Sequence, residues 1–301
     1  MIRIESGLVH AFDLDTLWPA IIVKFVRGNK LFYSIFDFYA NNIPNGDFQF
    51  LRDIIKHMVA FTEKSGIRFS DAIFLADESR FEEVKGSKIR ELTYIYNSPP
   101  DFVNIKNNRS SPKNHLKVFY GGLIDKKRGL EHMIEAVSDL NNVELTLAGV
   151  GTDVEFIIEE LKKHENMKYL GWLPSYEDII IKTLENDVVF RFSDPKIPKT
   201  IYESPNKLFE AMMCSKPIIV SDNSSMANIV IKEKCGVVVK YGDVKAIRDS
   251  IILLRDDRDL AHKLGRNGRN AYENEYDWNI MENRLLKVYK SLGRSVKGER
   301  Y

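Results

Sequence analysis

The chain has 301 residues, 44% hydrophobic and 29% charged, which is the balance of a folded globular protein and excludes a disordered one; this length allows two domains of ordinary size. With 44 Lys and Arg against 43 Asp and Glu the formal net charge is +1, so there is no whole-chain case for nucleic-acid binding. No apolar run approaches the ~18 residues of a membrane span. The only cysteines, Cys214 and Cys235, lie in apolar contexts without metal-ligand spacing, as buried reduced thiols of a cytosolic protein do.

The first residues lead straight toward a strand, with no signal-peptide pattern. Residues 7–13 read as a strand running into a loop. Residues 15–25 read as a helix with Leu17, Ile21, Ile22 and Phe25 on one stripe and Pro19 in the first turn, and residues 30–35 as the next strand. A strand–helix–strand unit predicts a parallel sheet. Residues 37–46 form an aromatic, Asn-rich loop. Residues 48–66 predict a long helix with Leu51, Ile54, Ile55, Met58, Val59 and Phe61 turned inward. A strand at 71–76, a helix at 78–85 and a strand at 92–97 close this half. Residues 98–114 are polar, carry three prolines and read as an inter-domain linker.

The second half opens with a strand at 116–120 that ends in Gly121-Gly122. Asp125-Lys126-Lys127-Arg128-Gly129 and a helix at 130–140 follow. Glycines permit close backbone approach and a helix N-terminus presents N–H groups, so this arrangement suits phosphate. An ordinary βα-turn with solvated charges has the same pattern. A strand at 143–148 runs into Gly149-Val150-Gly151, and a helix at 154–163 comes next. In the short strand and loop at 167–173, Trp172 reads more readily as a core residue than as one that stacks on a base. After a helix at 176–184, a buried strand at 187–192 ends at Ser193-Asp194, on the side of the sheet where α/β folds bind ligands.

Residues 200–222, TIYESPNKLFEAMMCSKPIIVSD, organise the rest. Ser204 can cap a helix and Pro205 suits its first position. Leu208, Phe209, Ala211, Met212 and Met213 are apolar at helical spacing, while Lys207 and Glu210 share one face. Ser215-Lys216-Pro217 breaks the helix before a β-branched strand. A lysine at a helix start attracts phosphate, and a carboxylate one turn on can accept hydrogen bonds from sugar hydroxyls. Together they suit a nucleoside diphosphate; an exposed ion pair would look the same. A helix at 226–234, a strand at 236–240, helices at 244–254 and 259–276, and a last helix from Asp277-Trp278-Asn279 complete the chain, with a polar tail at 293–301.

The segment PNKLFEAMMCSKPIIVSD is similar to the donor site of the GT4-type retaining glycosyltransferases (glycosyl transferases group 1), and the resemblance runs from about residue 8 to residue 292. It implies an α/β, GT-B-like fold of two Rossmann-like domains with parallel sheets, the N-terminal one incomplete. Residues 1–97 would be a partial acceptor-side domain without its first strands and Gly-rich loop, 98–114 a linker, 115–276 the nucleotide-sugar-binding domain, and 277–292 a helix crossing back to the N-domain. The family pairs two glutamates with seven residues between them. Glu210 matches the second, which holds the ribose. Glu203 stands for the first with six residues between, and Ser204-Pro205 replaces the usual Gly-aromatic pair.

VHAFDLDTLWPA is similar to the family motif in which a histidine and an acidic residue lie near the inter-domain cleft. His10 and Asp13 are the matching positions and, with Glu203, the catalytic candidates. In the family's G-R-L…K-G pattern an arginine and a lysine hold the diphosphate; here Gly122 follows Gly121 where the arginine would be, Arg128 aligns with the lysine, and Lys207 takes the missing cation's share. Gly149 and Gly151 match the expected tight turn, Leu173 a backbone contact to the base, and Lys207, Leu208 and Glu210 the donor helix. The implied reaction is retaining transfer of a hexose or N-acetylhexosamine from a UDP- or GDP-sugar to a glycan or lipid-linked hydroxyl. It needs no metal and no cofactor beyond the donor. Two alternatives stand beside it: a non-catalytic half that binds nucleotide-sugar or a partner chain, and a nucleotide-sugar 2-epimerase. A homodimer or companion chain is expected over the edge of the 7–13 strand, no nucleic acid is expected, and the location is cytoplasmic or peripheral at the inner face of the membrane.

Overall fold

A computed structural model describes residues 7–43, 48–103, 114–197, 202 and 206–294. The chain divides into two units, Met1–Asn97 with Asn279–Tyr301, and Ser98–Trp278.

Unit 1 runs β1 (Leu8–Phe12), α1 (Asp13–Arg27), β2 (Lys30–Ile35), α2 (Tyr39–Asn42), α3 (Gln49–Ile67), β3 (Ala72–Leu75), a 3-10 turn (Glu78–Arg80), α4 (Phe81–Val84) and β4 (Leu92–Tyr94). The strands form a parallel sheet in the order β1-β2-β3-β4, with Leu8 opposite Lys30, Phe32 opposite Ala72 and Ile73 opposite Leu92. The crossovers between these parallel strands place α1 and α3 on one face. There Leu17, Ala20, Ile21 and Ile67 pack on Leu31, Tyr33, Ile35, Ile73 and Leu75. The last helix of the chain, Trp278–Arg294, covers the other face, its Val288, Leu285 and Tyr289 packing on Phe32, Ala72 and Phe74. Asp71 ties strand starts together, accepting from Lys24 Nζ at 2.5 Å, Leu31 N at 2.8 Å and Arg90 at 3.0 Å.

Several expectations for this half are corrected. α1 begins at Asp13, not Asp15, so Pro19 sits inside the helix and not in its first turn. Thr16 explains the earlier start: its hydroxyl accepts from Phe12 N and donates to Phe12 O. The 37–46 loop contains the helical turn α2, while residues 44–47 lie outside the described residues. Of the expected α1 stripe, Leu17 and Ile21 are buried but Ile22 and Phe25 are exposed. The long helix is present at Gln49–Ile67, but its face is reversed. Leu51, Ile54, Ile55, Met58 and Phe61 are exposed, Val59 is half-buried, and the buried positions are Glu63, Gly66 and Ile67. Gly66 lets Leu17 and Ile21 press against α3, since a Cβ there would lie 2.5 Å from Leu17 Cδ2.

Glu63 accepts from the Tyr33 hydroxyl at 2.7 Å and from Tyr39 N at 3.3 Å. Burial, the largest cause, raises its pKa to about 7, against the lowering effect of the Tyr33 bond. The folded chain therefore holds a proton here that the unfolded chain gives up near pH 4.5. This contribution to stability is full below about pH 4.5 and is lost as pH rises through about 7. Glu63→Gln keeps an acceptor for Tyr33 and removes the titration. Relative to the variant, the wild type is expected to lose up to about 3 kcal/mol between pH ~4.5 and ~8, read by hydrogen exchange at the β2 and β3 amides. Equal pH dependence in both proteins would show that Glu63 does not carry this proton.

Unit 2 runs β5 (Leu116–Gly121), a 3-10 turn (Lys126–Arg128), α5 (Leu130–Val137), β6 (Val143–Ala148), α6 (Val154–Leu161), β7 (Met167–Tyr169), α7 (Tyr176–Glu185), β8 (Val188–Arg191), α8 (Asn206–Met213), β9 (Ile218–Ser221), α9 (Ser225–Glu233), β10 (Gly236–Val239), α10 (Val244–Asp256), α11 (Arg258–Ala271) and a π turn (Tyr272–Tyr276). All six strands are parallel in the order β10-β9-β8-β5-β6-β7. The chain moves from β5 toward β7 on one side, then returns to β8 on the other. The strand order therefore reverses between β5 and β8, and the crevice beyond their carboxyl ends is the place such sheets bind ligands. Leu116, Val118, Leu145, Leu147, Val188 and Phe190 are buried on one face and Phe119, Thr146 and Val189 on the other, as strands covered by helices must be. Cys214 and Cys235 are buried free thiols.

Candidate nucleotide site at the switch point of unit 2

β5 delivers Tyr120, Gly121 and Gly122 to the switch point. The ladder with β6 continues past both strands, with Gly122 N donating to Ala148 O and Ile124 N to Val150 O, each at 2.8 Å. The two loops touch backbone to backbone. Gly149 has φ +135°, and a Cβ on it would lie 1.7 Å from Gly122 O; one on Gly151 would lie 1.8 Å from Ile124 O. Any side chain at either position would push the loops apart. The Gly149-Val150-Gly151 turn thus exists to let two backbones meet.

α8 supplies Lys207 and Glu210. The residues before it, Glu203, Ser204 and Pro205, lie outside the described residues, so the capping expectation and the place of Glu203 are not described. Leu208 is buried in the core, which leaves only its backbone amide to offer a ligand. The first four N–H groups of a helix have no partner within it. Lys207 is half-buried as a residue, but its ammonium is more deeply set, 5.2 Å from the centre of the Tyr120 ring. That is cation–π range. Burial holds its pKa below the usual lysine value, Glu210 pulls it up and the positive charge of Arg128 pulls it down. The structure therefore brings Arg128, Lys207 and Glu210, from two separate segments, into one electrostatic site.

Gly122 finds its reason here. A Cβ on it would lie 2.8 Å from Lys207 Cε and 2.9 Å from Nζ. The Lys207 side chain fills the space over residue 122, so a bulky cation there and Lys207 exclude one another. Arg128 closes a 3-10 turn whose start is capped by Asp125, which accepts from Lys127 N at 2.8 Å, and Gly129 follows with φ +59° as the entry to α5.

Glu210 is buried and lines, with Lys207, Tyr120, Gly121 and Ile179, the inner wall of the crevice. The Tyr176 hydroxyl lies within the field of its carboxylate: burial first, and then the charge of Glu210, raise the tyrosine pKa. Next to this wall is an apolar pocket of about 140 Å³ lined by Gly121, Gly122, Gly149, Trp172, Leu173 and Ile179. Its size suits one planar ring, since a cavity of ~150 Å³ takes up benzene. Trp172 is 66% exposed at its rim. The core reading of Trp172 is corrected: the left-handed Gly171, φ +77°, turns the chain outward and donates no side chain of its own, while Gly149 N binds Gly171 O at 2.8 Å.

Tyr120 and Tyr176 are candidate site residues that sequence reasoning missed, and Trp172 is one that it weighed and set aside for the core. Tyr120 carried a signal, an aromatic just before the strand-ending glycines. Tyr176 carried none, because its meeting with Glu210 depends on the β8 return.

In unit 1, His10 lies on the face covered by the last helix. Its ring shares hydrogen bonds with the Tyr289 hydroxyl at 2.5 Å and the Ser34 hydroxyl at 2.8 Å, and stacks on Phe12. Burial lowers its pKa to about 4, so the ring is neutral near pH 7. Asp13 has φ +58° and its carboxylate accepts from Phe36 N at 2.8 Å and Asp37 N at 3.1 Å; burial raises its pKa. The two residues thus have separate partners.

Two parallel-sheet Rossmann-like units, the second with its site at the switch point, define a GT-B-type fold. The model of the family described as glycosyl transferases group 1 matches residues 101–271, and the chain belongs to that family. It is 25% identical to the capsular polysaccharide biosynthesis glycosyltransferase CapM of Staphylococcus aureus over 208 residues, 65% of this chain and 53% of that protein. It is 23% identical to glycogen synthase of Mycobacterium tuberculosis over 310 residues, 98% of this chain and 70% of that protein. The matched regions thus span about half and seven tenths of the length of these two relatives. Among solved structures, sucrose-phosphate synthase from Thermosynechococcus elongatus superposes with a TM-score of 0.72 at 18% identity, covering 96% of this chain and 74% of that one. Anabaena HepE in complex with UDP gives 0.73 at 15% identity, covering 94% and 78%.

Proposed function

We propose that the chain binds a UDP- or GDP-sugar in unit 2 and transfers its sugar, with retention, to a hydroxyl of a glycan or lipid-linked acceptor. The observation that carries this reading is the convergence of Lys207, Arg128 and buried Glu210 around the glycine loops at the switch point. The diphosphate sits against the Lys207 ammonium and the first N–H groups of α8, with Arg128 at its edge. Glu210 accepts from the ribose hydroxyls, and the base enters the pocket beside Trp172 and Leu173. Anabaena HepE, solved with UDP and with UDP-glucose, favours a uridine donor. A GDP-mannose-dependent relative from Corynebacterium glutamicum, 29% identical over 149 residues, favours guanosine. That relative's acceptor is a phosphatidylinositol mannoside, which is the ground for a lipid-linked acceptor.

In the reaction the bond between the anomeric carbon and the diphosphate oxygen breaks as the acceptor oxygen bonds to the same face of the sugar. The acceptor proton passes to the departing diphosphate. Lys207, Arg128 and the helix N-terminus stabilise the charge that grows on the leaving group, so the protein acts by position and electrostatics. No metal or further cofactor enters this scheme. His10, Asp13 and Glu203 keep the acceptor-side and sugar-side roles implied by the resemblance; both ring nitrogens of His10 are held by Tyr289 and Ser34, so a contact with substrate requires one of these bonds to give way. The test is turnover of UDP-glucose and GDP-mannose with a lipid-linked or glycan acceptor, the product's anomeric configuration read by NMR coupling. An α product from an α donor is expected; a β product overturns retention. Gly122, standing where the family's arginine would be, and the short spacing from Glu203 to Glu210 support a second reading, a half that binds the donor without turning it over. Binding without product under these conditions favours it.

A further inference from the structure

The sheet of unit 1 ends, on the carboxyl side of β1 and β2, in a pair of stacked rings with no role in the nucleotide site. Side chains alternate between the faces of a strand, so His10 and Phe12 share one face with their partners Phe32 and Ser34, and Phe36 follows on that face just past β2. The last helix covers this face at His10 and Phe32, which Tyr289 touches. Beyond them Phe12 and Phe36 are 45% and 53% exposed, their rings parallel to within 7° and centred 5.9 Å apart. Phe12 also stacks on His10 at 4.3 Å. Polar contacts fix the pair. Phe12 N donates to the Thr16 hydroxyl at 2.7 Å, and that hydroxyl donates to Phe12 O. Asp13, with φ +58°, accepts from Phe36 N at 2.8 Å and from Asp37 N at 3.1 Å, so the residue after one ring holds the backbone of the other. Left-handed backbone is costly for an aspartate and persists where the surroundings enforce it. Exposed apolar side chains scattered singly need no explanation. These two are stacked and fixed, on the side where α/β sheets bind ligands.

Three carboxylates stand around the rings. Burial first raises the Asp13 pKa, and the charges of Asp37 and Asp15 raise it further, so the three share one field. Asp15 accepts from the Tyr39 hydroxyl at 3.1 Å, and Asp37 lies 3.6 Å from Arg80. Asp15 and Asp37 are both exposed. A fitting ligand therefore has a flat apolar face and hydroxyl donors along its edge. A pyranose has both, since its C–H bonds can lie on an aromatic face while its hydroxyls reach carboxylate oxygens. An acyl chain would strip water from the carboxylates and return nothing. A phosphate or a uronate would meet them as like charges.

We propose that Phe12 and Phe36 form the platform on which a neutral sugar ring of the acceptor glycan lies, free or lipid-linked, with Asp15 and Asp37 receiving its hydroxyls. That the sugar is an acceptor rests on the transferase reading; the platform itself is built by unit 1 alone.

Saturation-transfer NMR titrations of the full chain with methyl α-mannopyranoside, maltotriose and diacetylchitobiose, and with methyl glucuronide as the anionic comparison, test it. At least one neutral sugar is expected to bind, and the glucuronide to bind more weakly than that sugar. Phe36→Ala should weaken the neutral sugar about five- to 30-fold, and Phe36→Leu, which keeps bulk but not the flat face, about two- to ten-fold. Phe36→Trp should retain it. Phe36 lies outside the core, and an unchanged thermal midpoint by circular dichroism checks that the variants fold. Calorimetry of the same variants with UDP, GDP, UDP-glucose and GDP-mannose separates the two sources of a sugar ring, and unchanged affinities are expected. A loss in Phe36→Ala confined to the nucleotide-sugars assigns the rings to the donor's hexose and overturns the proposal. No binding of any neutral sugar overturns it too, as does binding that the alanine and leucine variants leave unchanged, or glucuronide binding as tight as that of the neutral sugar. Phe36-dependent binding of dihexanoylphosphatidylcholine without sugar binding assigns the pair to a lipid chain and likewise overturns it. Phe36-dependent sugar binding in a chain that binds no nucleotide supports the platform and removes the donor reading alone.

Discussion

Glu210→Ala is expected to weaken binding of the preferred nucleoside diphosphate about ten- to 150-fold, the effect of losing a charge-assisted hydrogen bond of ~1.5–3 kcal/mol. Glu210 is buried, so water does not readily replace it. A second effect follows from Lys207. Glu210 is the charge that raises the lysine's pKa against burial and Arg128. Its removal lowers that pKa further, and the lysine gives up its proton more readily as pH rises. The variant's deficit should therefore grow with pH on the alkaline side, whereas a deficit due to the ribose contact alone would not. Glu203→Ala is expected to cost less, its spacing from Glu210 being one residue short of the family pattern. Calorimetry on both variants across pH decides this, and a Glu203 variant that abolishes binding beside an intact Glu210 variant would exchange their roles.

The second large effect belongs to Gly149. Alanine there meets Gly122 O at 1.7 Å in a backbone with φ +135°, a contact that only separation of the β5 and β6 loops relieves. Strain of ~1–3 kcal/mol from the dihedral and a similar cost for the displaced backbone give a loss of about 2–6 kcal/mol. The pocket between Gly122 and Leu173 opens with it, so nucleotide affinity should fall by more than ~100-fold at a bond cost above ~3 kcal/mol. Gly171 is the control. Its φ is +77° but nothing lies within 4 Å of a Cβ, so Gly171→Ala should cost only about 1 kcal/mol. Thermal midpoints of the two variants separate close approach from dihedral strain; equal shifts would show that the contact with Gly122 relaxes at no cost.

The order of strands and helices was legible because β-branched runs, glycine turns and helical periods agree along most of the chain. The direction of α3 was not. Its apolar period of three and four is real, but period alone does not say which face a helix turns to its neighbours. Glu63 and Gly66, polar and small, hold the buried side because Tyr33 and Leu17 meet them there. Trp172 misled for a related reason: its size argues for burial, while the turn at Gly171 decides its direction. At the donor site the residue types were readable from spacing and resemblance. The reason for Gly122, that Lys207 occupies its side-chain space, needed two segments about eighty residues apart to be brought together. Tyr176 on Glu210 is likewise a product of the topology.

The most direct test of the central claim, a nucleoside diphosphate site at the start of α8, is calorimetry of the purified full chain with UDP and with GDP, repeated on Lys207→Met. One of the two nucleotides should bind at one site per chain, and the methionine variant, which keeps the stem over Tyr120 but not the charge, should lose most of that affinity. Failure of both nucleotides to bind, or binding that Lys207→Met leaves unchanged, would contradict it.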